Sequence, residues 1–178
     1  RRTAHSPAGD DFSAGARDDG AIALNKQYVM GIDAGTESVR AVLYDLGGRQ
    51  VAQASRSNLT TFPRPGWAEQ SPAGWIKNLT ESVHECLSQV EDFSPDQVKG
   101  LCVDGTCSTV VAALNDGTVL GDAILWMDTR AADEARHIAA SNHPVLRYSG
   151  GEDAVEWLVP KALWMKIHEP QRYHRAQK

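Results

Sequence analysis

Three short apolar runs, over residues 28–33, 39–45 and 50–57, are separated by links of only a few residues, Ala34-Gly35-Thr36-Glu37 and Leu46-Gly47-Gly48. A crossover between parallel strands takes about a dozen residues, whereas tight turns join antiparallel neighbours. The runs therefore predict a three-stranded antiparallel meander, and whatever follows must pack on its face or extend its edge.

The following sequence has segments suited to both. Ser71-Pro72 is a helix-start signal, and Trp75, Leu79, Val83, Cys86, Leu87 and Val90 recur behind it at helical spacing. That face should lie on the sheet. A second strand pair is predicted over residues 100–104 and 109–114, then a turn at Asn115-Asp116-Gly117 and an apolar run ending at Trp126. Asp128 or Thr129 is placed to cap a helix reaching residue 140, and a last helix is predicted over 156–168, started or kinked by Pro160. Strands first, then alternating helices and strands, predict an α/β fold on a mixed sheet.

Residues 1–27 differ in kind. They mix Gly, Ala, Ser, Asp and Arg without periodicity, and too little apolar surface to offset ordering entropy predicts a disordered leader. Its aspartates, Asp10, Asp11, Asp18 and Asp19, weigh against a transit peptide. A net charge of -5 without Lys or Arg clusters argues against nucleic acid and anionic membrane surfaces as partners. No apolar run reaches the roughly 18 residues of a membrane span. The expected ligand is a small molecule. Cys86, Cys102 and Cys107 are too irregularly spaced for a disulfide framework or a paired-cysteine metal site, which predicts a reducing compartment, the cytoplasm.

The segment richest in chemistry is Gly31-Ile32-Asp33-Ala34-Gly35-Thr36-Glu37-Ser38, an apolar strand that ends in a carboxylate and turns through glycine into hydroxyl residues. Gly35 lets a phosphate approach the backbone, Thr36 and Ser38 can donate hydrogen bonds, and Asp33 can hold hydrated Mg²⁺. The same residues also make an ordinary hairpin turn. By themselves they leave both possibilities open.

The rest of the chain bears on that choice. The hairpin resembles the first phosphate loop of actin-type ATPases, whose domains have a ribonuclease H-like fold. Gly66-Trp67-Ala68-Glu69-Gln70 followed by Trp75, then Leu125-Trp126-Met127-Asp128-Thr129-Arg130, then Pro160-Lys161-Ala162-Leu163-Trp164, resemble in order the signatures of the FGGY carbohydrate kinases. The resemblance covers residues 28–170. It implies a ribonuclease H-like α/β domain, a mixed sheet flanked by helices, present here in incomplete form. It also implies ATP-dependent phosphorylation of a sugar or polyol, with ATP and Mg²⁺ required. Val103-Asp104-Gly105-Thr106-Cys107-Ser108-Thr109 and Tyr148-Ser149-Gly150-Gly151 with Glu156-Trp157 look most like ribulokinases, while the Trp126 and Pro160 segments look as much like xylulokinases. Thr106-Cys107 stands where glycerol kinases place an Arg-Glu pair, which favours a ketopentose over glycerol.

Carried over residue by residue, Asp33 resembles the metal-associated carboxylate, and Gly35, Thr36, Ser38 and Arg40 fall in the nucleotide-phosphate loop. Thr106, Cys107, Trp126, Asp128, Arg130, Glu156 and Trp157 fall on the sugar side. An indole suits that place because its flat face covers the C–H side of a sugar. On the residues alone, Trp126 is equally a core residue at the end of an apolar run, Asp128 a helix cap, Arg130 an ion-pair partner that orients Asp128, Asp104 a turn residue, and Glu156-Trp157 a helix start. Lys161 is expected to snorkel past Trp164, and Trp67, Trp75 and Trp164 to serve packing.

The resemblance also implies that the catalytic aspartate, a second phosphate loop and the adenosine pocket lie further downstream. Residues 171–178 are read as a polar truncated end, the chain as an N-terminal part inactive alone, and a homodimer is an expectation for the full-length protein. From a different class, a non-catalytic binding or interaction fragment is the competing reading.

Overall fold

A computed structural model describes residues 26–178, so the leader expected over 1–27 lies almost wholly outside the described residues. The meander forms: β1 (Tyr28–Ala34), β2 (Ser38–Asp45) and β3 (Gln50–Ser57) pair antiparallel in sequence order. Alternation decides which side becomes core. Tyr28, Met30, Ile32, Val39, Ala41, Leu43, Ala52 and Ala54 share one face and are buried there. On that face lies α1 (Pro72–Ser88), with Leu79, Val83, Cys86 and Leu87 turned toward the strands. The helix begins as its sequence predicts: the Ser71 side chain accepts from the Gly74 N–H, and Pro72 occupies the first turn, where its missing N–H loses no bond. Ser82 is a polar member of the packed face and donates its hydroxyl to the Val39 carbonyl at 3.1 Å.

The expected second strand pair does not form. β5 (Val98–Gly105) lies parallel to β1, with Gly31 opposite Cys102 and Asp33 opposite Asp104, so the sheet runs β3-β2-β1-β5 and is mixed. The crossover through α1 supplies the chain length that parallel pairing requires. Residues 109–114 make only isolated bridges, Val110 with Ile124 and Ala113 with Val119. Ser108, at φ 66°, turns the chain away from β5, and the backbone of Ala113 is then bonded by Gln177 and Lys178. β5 is consequently an edge strand, and its Leu101 and Val103 are 60% and 57% exposed. Parallel strands are ordinarily covered on both faces, so this edge is open to a degree the strand type does not favour.

A second cluster of structure adjoins the sheet. β4 (Glu69–Gln70) and β6 (Ala123–Ile124) form a short antiparallel ribbon, followed by α2 (Ala132–Ala140), α3 (Leu158–His168) and α4 (Pro170–Arg175). Val110, Ala112, Ile124, Ala131, Trp164 and Met165 make its core. Pro160 sits in the first turn of α3, where a proline is tolerated. α2 starts at Ala132 rather than at the expected Asp128 or Thr129 cap: its cap residue is Ala131, which has no side-chain oxygen to offer. The stretch expected as a polar end lies largely in α4. Among the described residues no helix is long and apolar enough to cross a membrane.

Candidate active site

β1 ends beside a turn with little room to spare. A Cβ on Gly35 would lie 3.3 Å from Asp33 Oδ1 and 3.4 Å from the Ser38 carbonyl, so a side chain there would press on the carboxylate. Strand register then lines up charge. Asp104 stands opposite Asp33 on one side, Arg40 on the other, and all three are exposed on the face away from α1. Asp33 and Asp104 are therefore cross-strand neighbours at the ends of β1 and β5. Ser38, two residues before Arg40 on β2, belongs to the same face.

The turn is held from behind by amides. Asn58 Nδ2 donates to the Gly35 carbonyl at 3.0 Å. Gln70, 2% exposed, donates to the Thr36 carbonyl and to Thr60 Oγ1, each at 2.7 Å, and accepts from Trp75 Nε1 at 2.6 Å. Trp75, expected as packing, therefore orients the amide that fixes the turn. Gln70→Leu keeps the volume but leaves three polar partners unmatched, and is expected to cost about 2–3 kcal/mol. Deuterium uptake over residues 35–38 should rise with it; unchanged uptake would contradict the role given to Gln70.

The Trp126 indole reaches this turn from β6. It is 40% exposed, and its Nε1 donates to Thr36 Oγ1 at 3.0 Å. Thr36 Oγ1 also lies 3.3 Å from Thr106 Oγ1, in the turn that leaves β5. Beside them is a cavity of about 240 Å³ whose walls include Thr36, Thr106, Thr109 and Leu125. That is just under the roughly 300–1,000 Å³ typical of small-molecule pockets, and the buried Thr109 hydroxyl has no partner within it. Cys107 is exposed next to Thr106.

Asp128 and Arg130, expected on the sugar side, are elsewhere. Both side chains have 0% exposure. Asp128 Oδ2 accepts from the Ala68 N–H at 2.6 Å and Arg130 Nη2 at 2.7 Å; Oδ1 accepts from Arg130 N and Nε, each at 2.9 Å. Arg130 Nη2 also meets Glu69 at 2.7 Å, and the guanidinium lies 3.7 Å from the Trp67 ring centre and 5.0 Å from that of Trp164. Its Nη1 has no acceptor, and the indole faces supply what hydrogen bonds do not. Burial pulls the Arg130 pKa down, but Asp128 and Glu69 more than reverse this, raising it above its ordinary value. The pair thus braces the 66–70 and 125–130 segments against each other. Gly66 completes the seam: at φ 78°, it would carry a Cβ 2.6 Å from Thr129 Oγ1.

Lys161 does not snorkel. It is fully buried, and its Nζ donates to the carbonyls of Glu156 at 2.6 Å, Leu125 at 2.8 Å, Ser108 at 3.1 Å and Trp126 at 3.5 Å. Burial draws its pKa down to about 8, against the fields of Asp128 and Glu156, so it remains charged at neutral pH. Glu156 and Trp157 are brought near Trp126 through this lysine, with Trp157 itself exposed at the start of α3.

Residues 28–178 match the N-terminal domain of the FGGY family of carbohydrate kinases, and the chain belongs to that family. It is 29% identical over 151 residues to a xylulose kinase of Bacillus subtilis, covering 84% of this chain and 30% of that one. A D-ribulokinase of Saccharomyces cerevisiae is 30% identical over 157 residues, covering 79% of this chain and 21% of the relative. The crystal structure of xylulose kinase from Rhodospirillum rubrum aligns with a TM-score of 0.74 at 32% identity, over 84% of this chain and 31% of that one. The chain thus spans less than a third of the length of these relatives. The expected actin-type, ribonuclease H-like α/β fold is the one found.

Proposed function

We propose that this chain supplies the metal- and phosphate-facing part, and one wall of the acceptor pocket, of an ATP-dependent kinase for a ketopentose such as xylulose or ribulose. The hydrogen bond from Trp126 Nε1 to Thr36 Oγ1 carries the reading. Phosphoryl transfer needs the acceptor hydroxyl in line with the γ-phosphate, so a sugar wall and a phosphate loop must meet in one place. Here they touch.

Two exposed carboxylates beside a glycine-opened turn suit hydrated Mg²⁺, which takes oxygen ligands and keeps several waters. Held by Asp33, with Asp104 alongside, it would neutralise charge on the phosphate oxygens. Thr36, Ser38 and Arg40 are the donors this chain offers to the same oxygens. On the acceptor side, Trp126 would cover the C–H face of the sugar, with Thr106, Cys107, Glu156 and Trp157 around its edge. Asp128 and Arg130 keep that wall in place from behind. The neutral Thr106-Cys107 pair favours a ketopentose over glycerol.

The proton acceptor for the sugar hydroxyl belongs, on this reading, to sequence beyond residue 178, and the 178-residue chain alone turns nothing over. A coupled ADP-release assay on this chain and on a longer version, across xylulose, ribulose and glycerol, tests it. Pentulose-dependent turnover is expected from the longer version only. Sugar-independent ATP hydrolysis would point to another member of the ATPase superfamily. Silence from the longer version with every sugar would favour an interaction module, for which the open β5 edge is the suited surface.

A further inference from the structure

A buried ammonium is costly unless its surroundings compensate it, and an apolar side chain of similar length often serves stability as well or better. Among the described residues no carboxylate touches the Lys161 ammonium: its hydrogen-bond partners are main-chain carbonyls. These carbonyls come from three separate segments. One is the turn after β5, another is the end of the β6 run, and the third is the approach to α3. Three N–H groups facing four carbonyls leave the ammonium fully used, with Trp126 at the outer limit of reach.

Each of those segments carries a candidate sugar-side residue. Ser108 follows Thr106 and Cys107, and it holds a left-handed backbone, φ 66°, that a non-glycine residue keeps only when neighbours fix it. Leu125 and Trp126 bring the indole. Glu156 brings itself and Trp157. No other described side chain has hydrogen bonds to all three segments.

We propose that Lys161 is a positioning residue for the sugar-side wall: its ammonium sets the spacing of Cys107, Trp126 and Glu156 by holding the carbonyls behind them. This rests on the sugar-kinase reading for its ligand, and on geometry alone for its anchoring role. Lys161 touches no substrate; it acts through the backbone of residues that do.

The test uses the 178-residue chain labelled with fluorotryptophan, the Trp126 line being assigned with Trp126→Phe. In Lys161→Met the Trp126 fluorine line should shift or broaden while that of Trp75, bonded to Gln70, stays in place. In the longer version of the protein the same substitution should weaken xylulose and ribulose binding at least about tenfold, the scale expected when a contact is displaced by a fraction of an ångström to an ångström. Lys161→Gln keeps two donors and should fall between parent and Met; where Lys161→Met does not fold, Lys161→Gln decides by the same two measurements. An unmoved Trp126 line, or a moved line with pentulose affinity within about twofold of the parent, overturns the proposal. A longer parent that binds neither pentulose counts against the sugar-kinase reading instead. The fluorine line then still decides the anchoring: movement supports it, and no movement overturns it.

Discussion

The Arg130→Met variant is expected to unfold with about 3–5 kcal/mol less free energy than the parent, the usual cost of removing one partner from a buried ion pair. Asp128 would keep its N–H contacts from Ala68 and residue 130 but lose two N–H···O contacts from the guanidinium, and Glu69 would lose one. For a domain of this size the loss corresponds to a fall in Tm of roughly 6–20 °C, measurable by calorimetry or circular dichroism. The second arm separates charge from shape. Asp128→Leu combined with Arg130→Met removes both charges, and should recover part of the loss because an apolar pair can replace a buried ionic one at little cost. A single variant within about 1 kcal/mol of the parent would remove Arg130 from the brace.

Asp33→Ala should have the opposite profile, stable but disarmed. The residue is exposed, so folding should change by no more than about 0.5 kcal/mol. Mg²⁺-dependent nucleotide binding, followed by calorimetry, should fall about a hundredfold, equivalent to about 2.7 kcal/mol. Asp104→Asn should lose less, about tenfold, because it stands beside the primary carboxylate on the neighbouring strand. Undiminished Mg²⁺-nucleotide affinity in Asp33→Ala would take the metal away from β1.

Local pattern predicted the meander and α1 because alternation and helical spacing report directly on which face is buried, and turn length alone forced the antiparallel order. It failed at residues 109–114. Their apolar content suits a strand, but whether a strand forms depends on a distant partner, and β5 pairs with β1 while Ser108 turns the chain aside. The same distinction runs through the site. The Asp33-Gly35-Thr36 turn was visible because its residue types carry their chemistry with them. The ion pair expected between Arg130 and Asp128 forms, but its burial was not legible, because carboxylates and guanidinium groups look alike whether they face a ligand or each other, and their partners Ala68, Glu69 and Trp67 lie some sixty residues away in sequence. Gln70 and Trp75 stood out only as parts of the family signature and of the helical face, and nothing in their spacing told that the indole would orient the amide. Lys161 carried one sign that was available: an unpaired lysine flanked by Pro160 and Leu163-Trp164 has few solvent-facing neighbours to lead it out.

Thr36 has a single proton to give. Its oxygen already receives the indole N–H, so the hydroxyl hydrogen has two destinations, the Thr106 oxygen or an anion entering the turn, and it serves one at a time. When an arriving phosphate takes it, Thr106 can keep the contact by donating its own hydrogen to the second lone pair of the Thr36 oxygen, while the link to the indole persists. Anion arrival at the turn would thereby reverse the direction of the threonine pair without unseating the tryptophan bonded to it.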